Sequence, residues 1–366
     1  MIDIKNSIKK ILVTGGGGFI GGCLIRRLLN ESSAQIYNLD KMGYASNISG
    51  IQKTLNTLGQ IKKSRHNLLK VDLINYELTL DAVKYANPDL VIHLAAESHV
   101  DRSIDDPEIF LRSNIYGTFN LLQSVRIYWE SLSEDRQKNF RILHISTDEV
   151  YGSLGKENKF SETTQYNPRS PYSASKASSD HLVNAWHHTY GLPIIVTNCS
   201  NNFGPWQFPE KLIPNVILKA LNNEKIPLYG DGSNIRDWLY VEDHVEALLM
   251  TLIKAKPGSN YCIGGFGERT NKEVVYLICD ILDKIIPSKN LHSSLVNFVK
   301  DRPGHDKRYA IDSALIRQEI GWQPRYNFEE ALEKTVKWYV KNKVWCESVL
   351  KEANYSGGRI GLNSNL

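Results

Sequence analysis

Two carboxylates stand side by side in ISTDEVYG, Ile145 to Gly152, where the apolar run RILHIS leaves what reads as a buried strand. Adjacent acids repel each other and cost desolvation energy, so a strand end built for packing alone has little use for Asp148 and Glu149. In a dry site such a pair suits an elimination, with one carboxylate ionised to take a proton and the other neutral to give one. Strand neighbours point to opposite faces, so both acids reach one substrate only if the strand has ended by Asp148. Further on, PYSASK supplies Tyr172 and Lys176 at i, i+4 spacing, on one face of a helix. A free phenol, with a pKa of about 10, is a poor base at neutral pH. A neighbouring ammonium favours the phenolate and makes it a better one. Most Tyr-x-x-x-Lys pairs are surface helix pairs, so this one draws its weight from the Ser-Thr at the end of RILHIST and from the glycines upstream.

Those glycines lie in KILVTGGGGFIGG, where Gly15, Gly18 and Gly21 keep a three-residue spacing between a first strand and a first helix. Such a turn lets the backbone approach a pyrophosphate closely, and the helix start offers it unpaired N–H groups. Asp40 ends the second strand, QIYNLD, 19 residues after Gly21. A carboxylate there accepts the adenosine ribose hydroxyls and repels a 2′-phosphate, which favours NAD over NADP. The positive nicotinamide ring would then assist Lys176 in favouring the Tyr172 phenolate. Asp72, next to last in LLKVDL, either reaches the adenine or caps a helix.

To converge, these residues need one crevice, and the chain supplies its parts. The runs KILVTG, QIYNLD, LLKVDL, DLVIHLAA, RILHIST and PIIVTNCS are short and rich in Ile, Leu and Val, as strands buried on both faces are. Between most of them the period is helical, as in Phe19 to Leu29 and Phe110 to Tyr128. Alternation of this kind predicts an α/β fold with a doubly wound parallel sheet of Rossmann type. After about Asn201, proline, glycine and aromatics become frequent, which predicts a smaller, mixed α/β C-terminal substrate domain. The expected division is 1–200 for the NAD-binding domain, with about 236–258 returning to it, 201–350 for the second, substrate-binding domain, and a loose tail over 351–366.

Composition narrows the function classes. With 44 basic and 40 acidic residues among 366, the net charge of +4 is weak, and the basic stretch IKKSRH is too short for a nucleic-acid face. No window has the apolar length of a membrane span or a signal peptide. Cys23, Cys199, Cys262, Cys279 and Cys346 are odd in number and scattered, which reads as buried free thiols in a reducing compartment. A cytoplasmic enzyme with no nucleic-acid or membrane partner is expected. No cluster has metal spacing; His187 and His188, on a helix, read as surface or interface residues.

The stretches TGGGGFIGG, HLAAESHVDRSI, STDEVYG, PYSASKASSDHLV, TNCSNNFGP, FPEKLIP, RDWLYVEDH and DRPGHDKRYAID together resemble the extended short-chain dehydrogenase/reductase family, from about residue 11 to about 340. STDEVYG with HLAAESHVDRSI points to its dTDP-sugar 4,6-dehydratase branch, because epimerases of the same fold usually lack the acid pair. The resemblance implies conversion of dTDP-glucose to dTDP-4-dehydro-6-deoxy-glucose and water through bound NAD. It makes Tyr172 the oxidation base, Thr147 a hydrogen-bond donor to the 4-hydroxyl, Lys176 the holder of the nicotinamide ribose, Glu149 the base of the elimination and Asp148 its acid. The cofactor would be lined by Phe19 and Ile20 of the turn, Lys41, Asp72, Leu73, Leu94, Ala95, Ala96, Ser98, Ser113 and Asn202. Ser98, Asn201, Lys211, Leu212, Arg236, Asn271, Asp301 and His305 would touch the sugar, pyrophosphate and nucleoside. Arg236 also carries a physical warrant, since a guanidinium suits bidentate phosphate contact. The resemblance further implies a homodimer through a four-helix bundle, from about Pro107 to Tyr128 and Tyr172 to Tyr190. Departures are Gly17 where alanine is usual, Gly43 where a threonine often follows Asp40, and only 19 residues between Gly152 and Tyr172. The rival readings are a UDP-glucose 4,6-dehydratase, a 4-epimerase, or a retired NAD-binding scaffold, against which the intact catalytic set argues.

Overall fold

The computed structural model describes residues 8–59, 63–301 and 304–355. Among these, seven strands form one sheet: β1 (Lys10–Thr14), β2 (Gln35–Leu39), β3 (His66–Leu69), β4 (Leu90–His93), β5 (Arg141–Thr147), β6 (Ile194–Cys199) and a later strand, Asn260–Ile263. Their order is Asn260–Ile263, β6, β5, β4, β1, β2, β3, and every pair is parallel. β1 and β4 are neighbours although β2 and β3 lie between them in sequence. The chain therefore reverses its direction of travel across the sheet at that point, which opens a crevice beyond the strands' carboxyl ends.

Helices cover both faces, which is why the central strands are apolar throughout. On one face Phe19–Glu31 and Val241–Lys254 pack on the sheet through Leu24, Ile25, Leu28, Val245 and Leu248. On the other, Tyr76–Ala86, Gly117–Glu130 and Pro171–Tyr190 pack through Val83, Leu121, Val125 and Val183. A separate core gathers Ile217, Ile278, Leu332, Val336 and Tyr339 from Leu212–Leu221, Asn271–Ile285 and Phe328–Lys341.

Several boundaries differ from those expected. β3 stops at Leu69, two residues into LLKVDL, because its one partner, β2, ends there with Leu39 paired to Leu69. The returning segment runs past 258, since Asn260–Ile263 completes the sheet and Ile316, Ile320 and Trp322 join the core on the same face. The helix expected over Phe110 to Tyr128 is a composite. Pro107–Phe110 leads into a π-helical turn, Leu111–Tyr116, before Gly117–Glu130 resumes α geometry. π turns recur at functional sites. The tail expected over 351–366 begins inside the helix Lys343–Glu352; residues 356–366 lie outside those described. All five cysteines are free and buried, as expected.

Candidate active site

At the carboxyl edge of the sheet lies a cavity of about 510 Å³, lined from both cores. Every residue expected in the site lines it except Asp148 and Asp301.

On one side are the glycines. Gly15 has φ +73°, and a Cβ there would stand 2.6 Å from Ala95 N; one on Gly21 would stand 2.3 Å from Gly15 O. Only glycine lets the turn close this tightly. Gly18 caps Phe19–Glu31 without a side-chain hydrogen bond, leaving first-turn N–H groups for an anion. Asp40 is buried, with Oδ2 accepting from Gly17 N at 2.8 Å and Oδ1 from Met42 N at 2.7 Å and Ser46 Oγ at 2.9 Å. A carboxylate has about four acceptor sites, so one stays open for a ribose hydroxyl. A Cβ on Gly17 would come within 2.9 Å of Asp40 Oδ2, which explains the glycine at that position. Lys41 pairs with Glu97 at 2.7 Å. Asp72 lies beyond β3, where it accepts from Ile74 N; the cap of the next helix is Asn75. This cradle, with a carboxylate at the ribose position and a free helix start at the pyrophosphate position, fits NAD.

Facing it is Pro171–Tyr190, whose start is dictated locally. Ser170 and Ser173 form a reciprocal capping box, Pro171 takes the first position, and Gly191 ends the helix at φ +72°. Caps of this kind contribute about 1 kcal/mol and fix Tyr172 in the first turn. Lys176, one turn on, is buried and donates to Ile145 O at 3.0 Å. The expected lowering of the Tyr172 phenol is not what the protein alone produces. Burial and then the Glu149 charge push it well above its ordinary value, and the Thr147 hydroxyl only partly opposes them.

β5 ends at Thr147, as the acid pair requires, and a single 3₁₀ turn, Asp148–Tyr151, follows, capped by Thr147 Oγ1 on Glu149 N at 3.3 Å. The two acids nonetheless diverge. Consecutive side chains in a 3₁₀ turn lie about 120° apart, so Glu149 faces the cavity while Asp148, 1% exposed, points behind it. Asp148 Oδ1 accepts from Thr147 Oγ1 at 3.3 Å, and Oδ2 has no protein partner among the described residues. Burial, with Glu149 and Asp237 nearby, holds this carboxyl well above the usual range.

From the second core come Arg236, Asn271 and His305. Arg236 donates to Asp306 O at 3.0 Å and stacks over Tyr309, 4.3 Å from the ring centre. Asp301 stands one step back, with its Oδ1 2.7 Å from His305 Nδ1. Lys211 reaches Ser98 O at 2.9 Å, and Asn201 Oδ1 is buried with no protein partner among the described residues. Sequence reasoning missed Glu97, Ser46, Tyr309 and above all Asn114. From inside the π turn, the Asn114 side chain accepts from Glu97 N at 2.8 Å and donates to Glu97 O and Ser175 Oγ, each at 2.9 Å. It ties the loop after β4 to the helix that carries Tyr172 and Lys176.

Hydride chemistry on a sugar needs the alcohol, a base and the dinucleotide in one crevice. The turn after β1 and the helix carrying Tyr172 face each other across it, and that pairing defines an extended short-chain dehydrogenase/reductase. Residues 12–335 match the family model described as GDP-mannose 4,6 dehydratase. A dTDP-glucose 4,6-dehydratase of Salmonella typhimurium is 49% identical over 365 residues, covering 95% of this chain and 99% of that protein. One of Xanthomonas campestris is 50% identical over 353 residues, covering 96% and 98%. Among solved structures, a Bacillus anthracis dTDP-glucose 4,6-dehydratase in complex with NAD superposes with TM-score 0.81 at 40% identity, covering 93% of this chain and 99% of that one. A UDP-glucose 4-epimerase of Thermus thermophilus, also with NAD, gives 0.77 at 27% identity, covering 91% and 99%. The chain belongs to the dTDP-glucose 4,6-dehydratase family.

Proposed function

We propose that the chain converts dTDP-glucose to dTDP-4-dehydro-6-deoxy-glucose and water. The observation that carries this reading is the convergence of Thr147, Glu149, Tyr172 and Lys176 on one cavity beneath the glycine turn, with the buried Asp148 carboxyl directly behind. NAD, which the glycine turn, Asp40 and Lys176 would hold, would supply the hydride chemistry, as acceptor for position 4 and donor to position 6. The protein does the rest. Thr147 Oγ1 orients the 4-hydroxyl, and Tyr172 removes its proton, the phenolate being favoured once positive charge stands beside it. The resulting ketone acidifies the 5-hydrogen, which Glu149 removes as a proton and gives back to position 5 when the hydride reaches position 6. Asp148 holds the proton that the departing 6-hydroxide needs, and a rotation of its side chain toward the cavity delivers it.

The intervening cavity wall, with Arg236, Asn271 and His305, would hold the nucleoside diphosphate, and 201–350 is the substrate-binding part of the chain. The exposed apolar side chains Ile109, Leu111, Tyr116 and Tyr190, on the segments Pro107–Glu130 and Pro171–Tyr190, support a homodimer through a four-helix bundle. The five buried free thiols support a reducing, cytoplasmic setting. No helix among the described residues is long and apolar enough to cross a membrane. The test is incubation with dTDP-glucose, UDP-glucose and GDP-mannose, following the 4-keto product by its alkaline absorbance. Turnover confined to dTDP-glucose is expected; a 4-epimer formed without water loss would make the chain an epimerase.

A further inference from the structure

The catalytic helix carries a third titratable residue on the stripe of Tyr172 and Lys176, and the chemistry above does not use it. Asp180, one turn beyond Lys176, is 0% exposed and does not line the cavity. Its carboxylate is caged by donors from three other segments. Ser146 Oγ on β5 donates to Oδ2 at 2.6 Å, and His144 Nε2 on the same strand lies 2.9 Å from Oδ1. Tyr166 OH, in the short loop between Gly152 and Tyr172, donates to Oδ2 at 3.0 Å, and Asn198 Nδ2 on β6 reaches it at 3.4 Å. A buried carboxylate with this many donors stays ionised. Consistent with that, His144 and then Lys176 hold its pKa below the ordinary value despite burial.

An ionised acid in a dry core needs an opposite charge, and the buried Lys176 ammonium, one turn back on the same helix, is the lysine within electrostatic reach of it. Around the ammonium stand His93 on β4, His144 and Ile145 on β5, Cys199 on β6, and Asp180 on its own helix. Both histidines are themselves held below their ordinary pKa by burial, so they add no charge at neutral pH. Cys199 is pushed up to about 12 and stays a thiol. Asp180 is thus the one ionised acid in the set.

We propose that Asp180 is a positioning residue for the hydride-transfer step: its caged carboxylate is the fixed counter-charge of the Lys176 ammonium and, through Tyr166, the anchor of the loop between Gly152 and Tyr172. The first function deepens the dehydratase reading and rests on it; the second does not. Removing the carboxylate leaves a buried ammonium with no negative neighbour, and burial then favours loss of its proton.

The experiment is Asp180→Asn in the NAD-loaded enzyme, with NADH absorbance followed in a single turnover of dTDP-glucose across pH. Near the neutral plateau the rate should stay within about threefold of the parent. The alkaline limb should move at least one unit toward acid, a rate about tenfold lower at any pH on that limb. Tyr166→Phe, which keeps the charge, should leave the limb in place while loosening the loop, read as faster proteolysis between Gly152 and Tyr172. An unmoved alkaline limb in Asp180→Asn would overturn the proposal. Should that variant not fold, Lys176→Met reads the same coupling without substrate. Asp180 is then an unpaired buried charge, so the melting-temperature deficit should shrink as pH falls and the carboxylate gains a proton. A pH-independent deficit would overturn the coupling, whatever sugar the enzyme uses.

Discussion

Asp40→Ala tests the cofactor assignment from two directions at once. The carboxylate holds Gly17 N, Met42 N and Ser46 Oγ, and has one acceptor site left for the ribose. A hydrogen bond to a charged acceptor contributes about 1.5–3 kcal/mol, so losing the ribose contact should weaken NAD by roughly 10- to 150-fold. NADP should move the other way. A phosphate charge about 4 Å from the carboxylate is repelled by about 4 kcal/mol at an effective dielectric constant of 20, and the alanine removes that barrier. The NAD/NADP affinity ratio should therefore fall by more than about 100-fold. The released donors cost stability as well, and Ser46→Ala measures that part alone, since it loosens the loop but leaves the charge. Fluorescence titration of both dinucleotides against parent, Asp40→Ala and Ser46→Ala gives the ratio directly. An unchanged ratio in Asp40→Ala would remove Asp40 from the ribose site, however much both affinities dropped.

Gly15→Ala should abolish NAD binding and cost about 3 kcal/mol of stability, because the new Cβ meets Ala95 backbone at 2.6 Å and φ is +73°; thermal melting with and without NAD measures both. Glu149→Gln and Asp148→Asn should each spare the oxidation seen as transient NADH while suppressing dehydration. Asp148→Asn should still exchange the 5-hydrogen with deuterated solvent and Glu149→Gln should not, as mass spectrometry of recovered substrate will show; the opposite pattern would exchange their roles. Because the Asp148 carboxyl is held up in the folded protein, its contribution to stability is complete below the ordinary carboxylate range and is lost as pH rises. Asp148→Asn should therefore melt higher than the parent at neutral pH, with the advantage vanishing in acid; an advantage independent of pH would mean that folding does not raise the Asp148 pKa.

How far this site could be read from the chain depended on whether its cause was local. β5 was legible to the residue because RILHIST is apolar up to a polar turn, and the capped helix at Ser170 announces itself in SPYS. The glycine turn was legible because only glycine fits it. The end of β3 was not, since it is set by where β2 stops. The outward turn of Asp148 was missed because the sequence shows that a strand ends but not that a 3₁₀ turn follows, which splays neighbouring side chains. Asn114 and the π turn were invisible for a similar reason: a helical period does not record that one backbone carbonyl is taken by Ser179 Oγ, at 2.8 Å, from another helix. The strand Asn260–Ile263 finds its place only through pairing with β6.

The central claim is that one hydride leaves position 4 and returns at position 6 of the same sugar, with this cavity holding both partners throughout. Substrate deuterated at position 4 tests it in one measurement, the mass and proton spectrum of the 4-keto product made in ordinary water. Deuterium retained at position 6, with no net NADH accumulating during turnover, is the expected result. Deuterium lost to released NADH, or returned to position 4 of an epimer, would contradict the account.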